Sequence, residues 1–127
     1  MRYGFSRAVD LPYEAAVRRV TEQLKAHGFG VLATIDVKET LKQKLNAEFT
    51  KYVILGACNP SLAYQALQVE MDIGLLLPCN LIVYEKAGKT VLGAFDPLIM
   101  VPLVDKPELA KIAADVKQRL QSVLESI

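Results

Sequence analysis

Two cysteines are the residues of this chain best suited to chemistry. They are the only cysteines among 127 residues, and their contexts are alike: Gly-Ala-Cys-Asn-Pro around Cys58 and Leu-Pro-Cys-Asn around Cys79. Each is followed by Asn and lies beside a Pro, a combination typical of boundaries between structural elements. If the fold brings the two sulfurs together, they could hold a soft metal, a sulfur species or a thiol-reactive small molecule.

The candidate ligand-binding residues are these cysteines, the asparagines that follow them and one tyrosine nearby in sequence: Cys58, Asn59, Cys79, Asn80 and Tyr84. The cysteine spacing matches no standard zinc pattern, so neither a metal nor a cofactor is identified, and no catalytic residue is assigned. His27 is expected to cap the end of the first helix rather than to bind a metal.

Cys58 directly precedes the predicted helix cap Asn59. Because the positive end of a helix dipole favours thiolate, the sequence predicts a lowered pKa for Cys58.

The two cysteines admit three interpretations. The leading interpretation is a binding module centred on both cysteines. The second is a thiol-dependent redox or transfer enzyme, with Cys58 as nucleophile and Cys79 as resolving thiol. The third is a purely structural or interaction domain whose cysteines are small buried hydrophobic residues.

The composition indicates one globular domain over residues 1–127. Hydrophobic residues make up 52% and charged residues 23%, and the surplus of apolar residues suggests a homodimer. The net charge of +1 comes from interspersed charges, which argues against nucleic acid or membrane partners. No apolar run approaches the roughly 20 residues that span a bilayer, and the N-terminus lacks a signal-peptide pattern. We therefore expect a cytoplasmic protein with reduced thiols.

The elements that would position the cysteines follow from hydrophobic periodicity and turn residues. Strands are predicted at 3–9, 29–35, 52–57, 80–85 and 90–95. Helices are predicted to begin after the caps Asp10, Asp36, Asn59 and Asp105. The last two strands are separated by a short turn and form a hairpin. The predicted fold class is α+β: a two-layer sandwich with helices on one face of a largely antiparallel sheet.

Three stretches of the chain also resemble a known family. Residues 28–32, Ile54–Pro60 and Ile73–Glu85 closely resemble the family catalogued as domain of unknown function 302, found in bacteria and archaea. The resemblance covers essentially the whole chain. It implies a TBP-like fold in the order strand, helix, four strands and helix, with short extra helices between strands. It implies no activity, so the three interpretations of the cysteines stay open.

Overall fold

The fold is built on one five-stranded antiparallel sheet, seen in a computed structural model that describes residues 1–127. The strands are β1 (Gly4–Val9), β2 (Gly30–Asp36), β3 (Tyr52–Cys58), β4 (Cys79–Lys86) and β5 (Lys89–Phe95). Their spatial order is β1-β5-β4-β3-β2, and every neighbouring pair is antiparallel. Strand β4 therefore lies at the centre of the sheet, with β3 and β5 on either side.

Five α-helices accompany the sheet: α1 (Tyr13–Ala26), α2 (Val37–Leu45), α3 (Pro60–Val69), α4 (Met100–Val104) and α5 (Leu109–Glu125). Short 3-10 segments occupy Met71–Leu76 and Pro97–Ile99. The long helices α1 and α5 bury apolar stripes against one face of the sheet, as their periodicity predicts. This arrangement confirms the predicted α+β sandwich.

The buried side chains form two separate hydrophobic clusters. The main core contains 18 buried residues between the sheet and the two long helices, including Leu24, Leu81 and Leu120. The smaller cluster consists of Ala66, Ile73, Met100 and Leu109. It attaches α3, the first 3-10 segment and α4 to the start of α5. The helices at this end of the molecule thus rest on a small packing unit of their own.

Two of the predicted helix caps are present. The side chain of Asp36 accepts a hydrogen bond from the Glu39 backbone N–H at 3.0 Å and begins α2. Asn59 accepts one from the Leu62 N–H at 3.1 Å and begins α3. Such caps depend on residues three positions apart, so the local sequence predicts them well.

The other two predicted caps are wrong. Helix α1 begins at Tyr13 without a side-chain cap, and the exposed Asp10 carboxylate lies 3.6 Å from the Lys89 ammonium instead. Asp105 adopts a left-handed conformation, with φ of 59°, because it ends the short helix α4, which the sequence analysis did not predict. Helix α5 begins at Leu109, four residues later.

Candidate functional site

A cavity of about 280 Å³ lies where β3 ends and β4 begins, under α3 and α5. Sixteen of its eighteen lining residues are hydrophobic, and the other two are Asn59 and Pro78. Its lining includes Phe29, Leu32, Cys58, Leu62, Ala63, Ala66, Cys79, Met100, Ile112, Ala113 and Val116. The cavity can therefore accommodate a small molecule with a mainly apolar surface.

Both cysteines line this cavity. Cys58 is the last residue of β3 and Cys79 is the first residue of β4. Ala57 is directly opposite Cys79 in the antiparallel register, so Cys58 follows one position beyond it. Both thiols are free; Cys79 is only 7% exposed and Cys58 is half-buried. Cys58, Asn59 and Cys79 thus all lie on the wall of one cavity.

The surroundings of both thiols favour the neutral form. Burial raises the pKa of the Cys58 thiol. Burial and the neighbouring Cys58 charge raise the pKa of Cys79 to about 11. The predicted lowering of the Cys58 pKa is therefore wrong: desolvation disfavours the thiolate at this apolar site. One of the backbone N–H groups that begin α3 is already occupied by the Asn59 side chain.

Asn59 is the one amide side chain on the cavity wall. Its Nδ2 lies 3.0 Å from the point that a Cβ on Gly28 would occupy. Gly28 also has a φ of 88°, which glycine adopts without steric cost. The turn after α1 can therefore approach the start of α3 closely only because position 28 carries no side chain.

The structure does not bring Asn80 or Tyr84 to the cavity. Successive side chains of a strand point to opposite faces, so Asn80 points away from the face that buries Cys79 and Leu81. Tyr84 lies on the same side as Asn80, where its ring stacks on Tyr52 with centroids 5.2 Å apart. The five candidate residues thus divide into three on the cavity wall and two on the opposite sheet face.

The small residues that create the cavity were missed by the sequence analysis. Ala63 and Ala66 of α3 and Ala113 of α5 line it, and their short side chains leave the space between the helices unfilled. The sequence did contain a signal for the cavity: alanine occupies positions of the apolar stripes where a large side chain usually fills the core.

The donor groups around the cavity do not resemble a metal site. No three or more His, Cys, Asp or Glu side chains lie close enough together to hold a metal ion. His27 is the C-cap of α1, and its Nδ1 lies 2.8 Å from the Gln23 carbonyl oxygen. That contact confirms the predicted capping role. Neutral thiols in an apolar wall suit an uncharged ligand better than a cation.

Replacing Asn59 by Ala is expected to lower the free energy of unfolding by about 1 kcal/mol, because α3 loses its capping oxygen. Asn59→Asp keeps an oxygen that can accept from Leu62 and should retain most of the stability. Urea denaturation followed by circular dichroism measures both variants. Equal losses in the two variants would show that the amide nitrogen, not the cap, is responsible.

The fold and the site together define an α+β two-layer sandwich protein with an apolar, cysteine-lined cavity at one end of its sheet. The family model described as Domain of unknown function DUF302 matches residues 5–127, and the chain belongs to this family.

A solved structure supports the same assignment. The crystal structure of an uncharacterized conserved DUF302 protein from Bacillus stearothermophilus is similar over 98% of each chain, with a TM-score of 0.91 and 36% sequence identity. Comparison with curated proteins gives no match. None of the helices combines the length and apolar character needed to cross a membrane.

Proposed function

We propose that this protein is a homodimeric binding module that holds a small, largely apolar molecule in the cavity lined by Cys58 and Cys79. The observation that carries the proposal is the cavity itself: about 280 Å³, with sixteen hydrophobic residues among eighteen. Ligand sites in proteins are typically concave, mostly apolar and provided with a few polar groups that orient the ligand. Here Asn59 and the two thiols are those groups.

The chemistry of the wall narrows the ligand class. A neutral thiol offers polarisable surface and a weak S–H donor, which suit a neutral sulfur compound or an aromatic ring. The Asn59 amide can donate to a hydroxyl or carbonyl oxygen. A soft metal is less well supported, because the two thiols are neutral and no third donor accompanies them. We also propose a cytoplasmic location, since a reducing compartment keeps such thiols free.

The homodimer belongs to the same proposal because the chain exposes many large apolar side chains. Leu32 and Ile35 of β2 and Leu45 at the end of α2 are among them. A contiguous exposed apolar surface usually marks an interaction site.

The ligand proposal is tested by native mass spectrometry of the protein purified under reducing conditions. We expect a reproducible retained mass that is absent from Cys58→Ala, whose melting temperature should be nearly unchanged because Cys58 is only half-buried. Adding 1-heptanol should displace the retained mass from the wild type. A variant that keeps the mass, or a wild type that retains nothing and does not bind 1-heptanol, would reject the proposal.

The enzyme interpretation has less support. A nucleophilic cysteine requires an accessible thiolate, and burial raises the pKa of both thiols. The structural interpretation explains the burial of Cys79 but leaves the cavity beside it without a role.

A further inference from the structure

One face of the sheet packs against α1 and α5, and the opposite face, here called the open face, is apolar and uncharged at its centre. The side chains of β3, β4 and β5 that alternate onto it include Tyr52, Ile54, Asn80, Ile82, Tyr84 and Val91. The central positions of this face carry no Asp, Glu, Lys or Arg. The first charges on this side are Lys86 and Lys89, at the hairpin end of β4 and β5. The open face thus has an apolar centre and two lysines at its hairpin end.

This pattern differs from that of a sheet face in contact with water. Antiparallel sheets covered on one side normally alternate apolar residues toward the core with polar residues toward solvent. On the open face, Ile54 and Ile82 are directly opposite each other at the centre. Ile82 also lies over Gly93, where an added Cβ would be 2.9 Å from its Cγ1. The missing side chain at Gly93 leaves the room that Ile82 occupies on this face.

Helix α2 provides a second, independent observation. None of its nine residues is buried. Val37, Leu41 and Leu45 are spaced by four residues and form one apolar stripe, and Leu45 is 70% exposed. Helices shorter than about 12–15 residues are only marginally stable unless they pack against something. Val37 and Leu41 are only partly buried and Leu45 is exposed, so the chain itself covers this stripe incompletely.

Aromatic rings connect α2 to the open face. Phe49 follows α2, and its ring centroid is 6.2 Å from that of Tyr52. Tyr52 in turn stacks on Tyr84. The stripe and the open face can therefore be covered by the same partner.

We infer that a second copy of this chain packs on the open face and α2; this rests on the proposed homodimer and names its surface. Five strands at their usual spacing are about 24 Å wide, and six residues of strand are about 20 Å long. The flat area of the face is thus about 480 Å². The surfaces of the protruding side chains and of α2 add to this area, and a stable interface buries about 800 Å² on each partner. A two-fold axis sets this surface against itself, and its uncharged centre brings no like charges together.

Sedimentation velocity over a protein concentration series tests the surface. We expect the wild type to be a dimer and Ile54→Glu to weaken dimerisation at least 100-fold, because the two-fold axis brings two carboxylates into an apolar contact. The matched control is Leu103→Glu. Leu103 is 67% exposed and lies on α4, in the helical layer, so this variant makes a similar change away from the open face. It should stay dimeric.

A second variant covers the case in which Ile54→Glu does not fold. Asn80 is exposed on the open face, so Asn80→Lys should fold normally, as circular dichroism would show, and still weaken the dimer. A wild-type dimer unaffected by either open-face variant, or lost in Leu103→Glu alone, would overturn this surface while the homodimer stands. A monomeric wild type would overturn the homodimer and the surface together. Binding of 1-heptanol, measured in parallel, reports on the cavity separately.

Discussion

Replacing Ala113 by Leu is expected to abolish ligand binding in the cavity without unfolding the protein. Ala113 lies on α5, is 2% exposed and lines the cavity, so a larger side chain there occupies the space of the ligand. We expect the Kd for 1-heptanol to rise at least tenfold, which corresponds to about 1.4 kcal/mol. The free energy of unfolding should be unchanged or higher, because the added methyl and methylene groups fill a void. Titration followed by NMR chemical shifts measures the affinity.

The neighbouring alanine supplies the control for this variant. Ala114 is exposed on the same helix, so Ala114→Leu makes the same chemical change outside the cavity. It should alter neither the affinity for 1-heptanol nor the stability by more than a few tenths of a kcal/mol. If Ala113→Leu binds the probe as the wild type does, the cavity is not the binding site.

Cys79 is expected to react with iodoacetamide several-hundred-fold more slowly than an unstructured cysteine at neutral pH. Its pKa of about 11, compared with about 8.5 for a free thiol, lowers the thiolate fraction by that factor before any steric protection. The rate should increase about tenfold per pH unit until the pH approaches 11. Mass spectrometry of the wild-type protein, in which digestion separates the peptides that carry Cys58 and Cys79, measures it.

A single-cysteine variant and the unfolded protein are the controls. Cys79→Ala leaves only the half-buried Cys58, which should react faster than Cys79 but still more slowly than a free thiol. In denaturing urea both cysteines should react at the free rate. A Cys58 that reacts faster than a free thiol would support the nucleophile interpretation instead.

The raised pKa of Cys79 also sets the sign of its contribution to stability. The folded state favours the neutral thiol, so this contribution is complete below the pKa of the unfolded thiol. It is lost as the pH rises toward 11, because the unfolded state ionises first. Compared with the wild type, Cys79→Ala should therefore show a weaker fall in stability above about pH 9.

The sequence was sufficient for the features that depend on near neighbours. All five predicted strands are present to within one residue at each end, because apolar runs bounded by turn residues define them. Asp36 and Asn59 cap their helices as predicted because a cap and its N–H donor are three residues apart. The antiparallel two-layer arrangement followed from this order of elements.

The candidate site was only half predictable. That Cys58 and Cys79 share a cavity depends on the pairing of β3 with β4, a contact between segments about twenty residues apart. The direction of the Cys58 pKa shift depends on its surroundings, and burial proved stronger than the helix dipole. In contrast, the sequence could have predicted that Asn80 and Cys79 face opposite sides of the sheet. If β4 begins at Cys79, successive side chains alternate between the two faces.

The four-residue cluster of Ala66, Ile73, Met100 and Leu109 has a kinetic consequence for the cavity. Several of the elements that wall the cavity are held by this cluster, while the sheet belongs to the much larger main core. Regions with few buried apolar contacts open at a lower free energy cost than the global fold. Transient separation of α3 and α4 from α5 would admit a molecule while all five strands stay paired, so exchange of the ligand and unfolding of the protein would proceed on separate timescales.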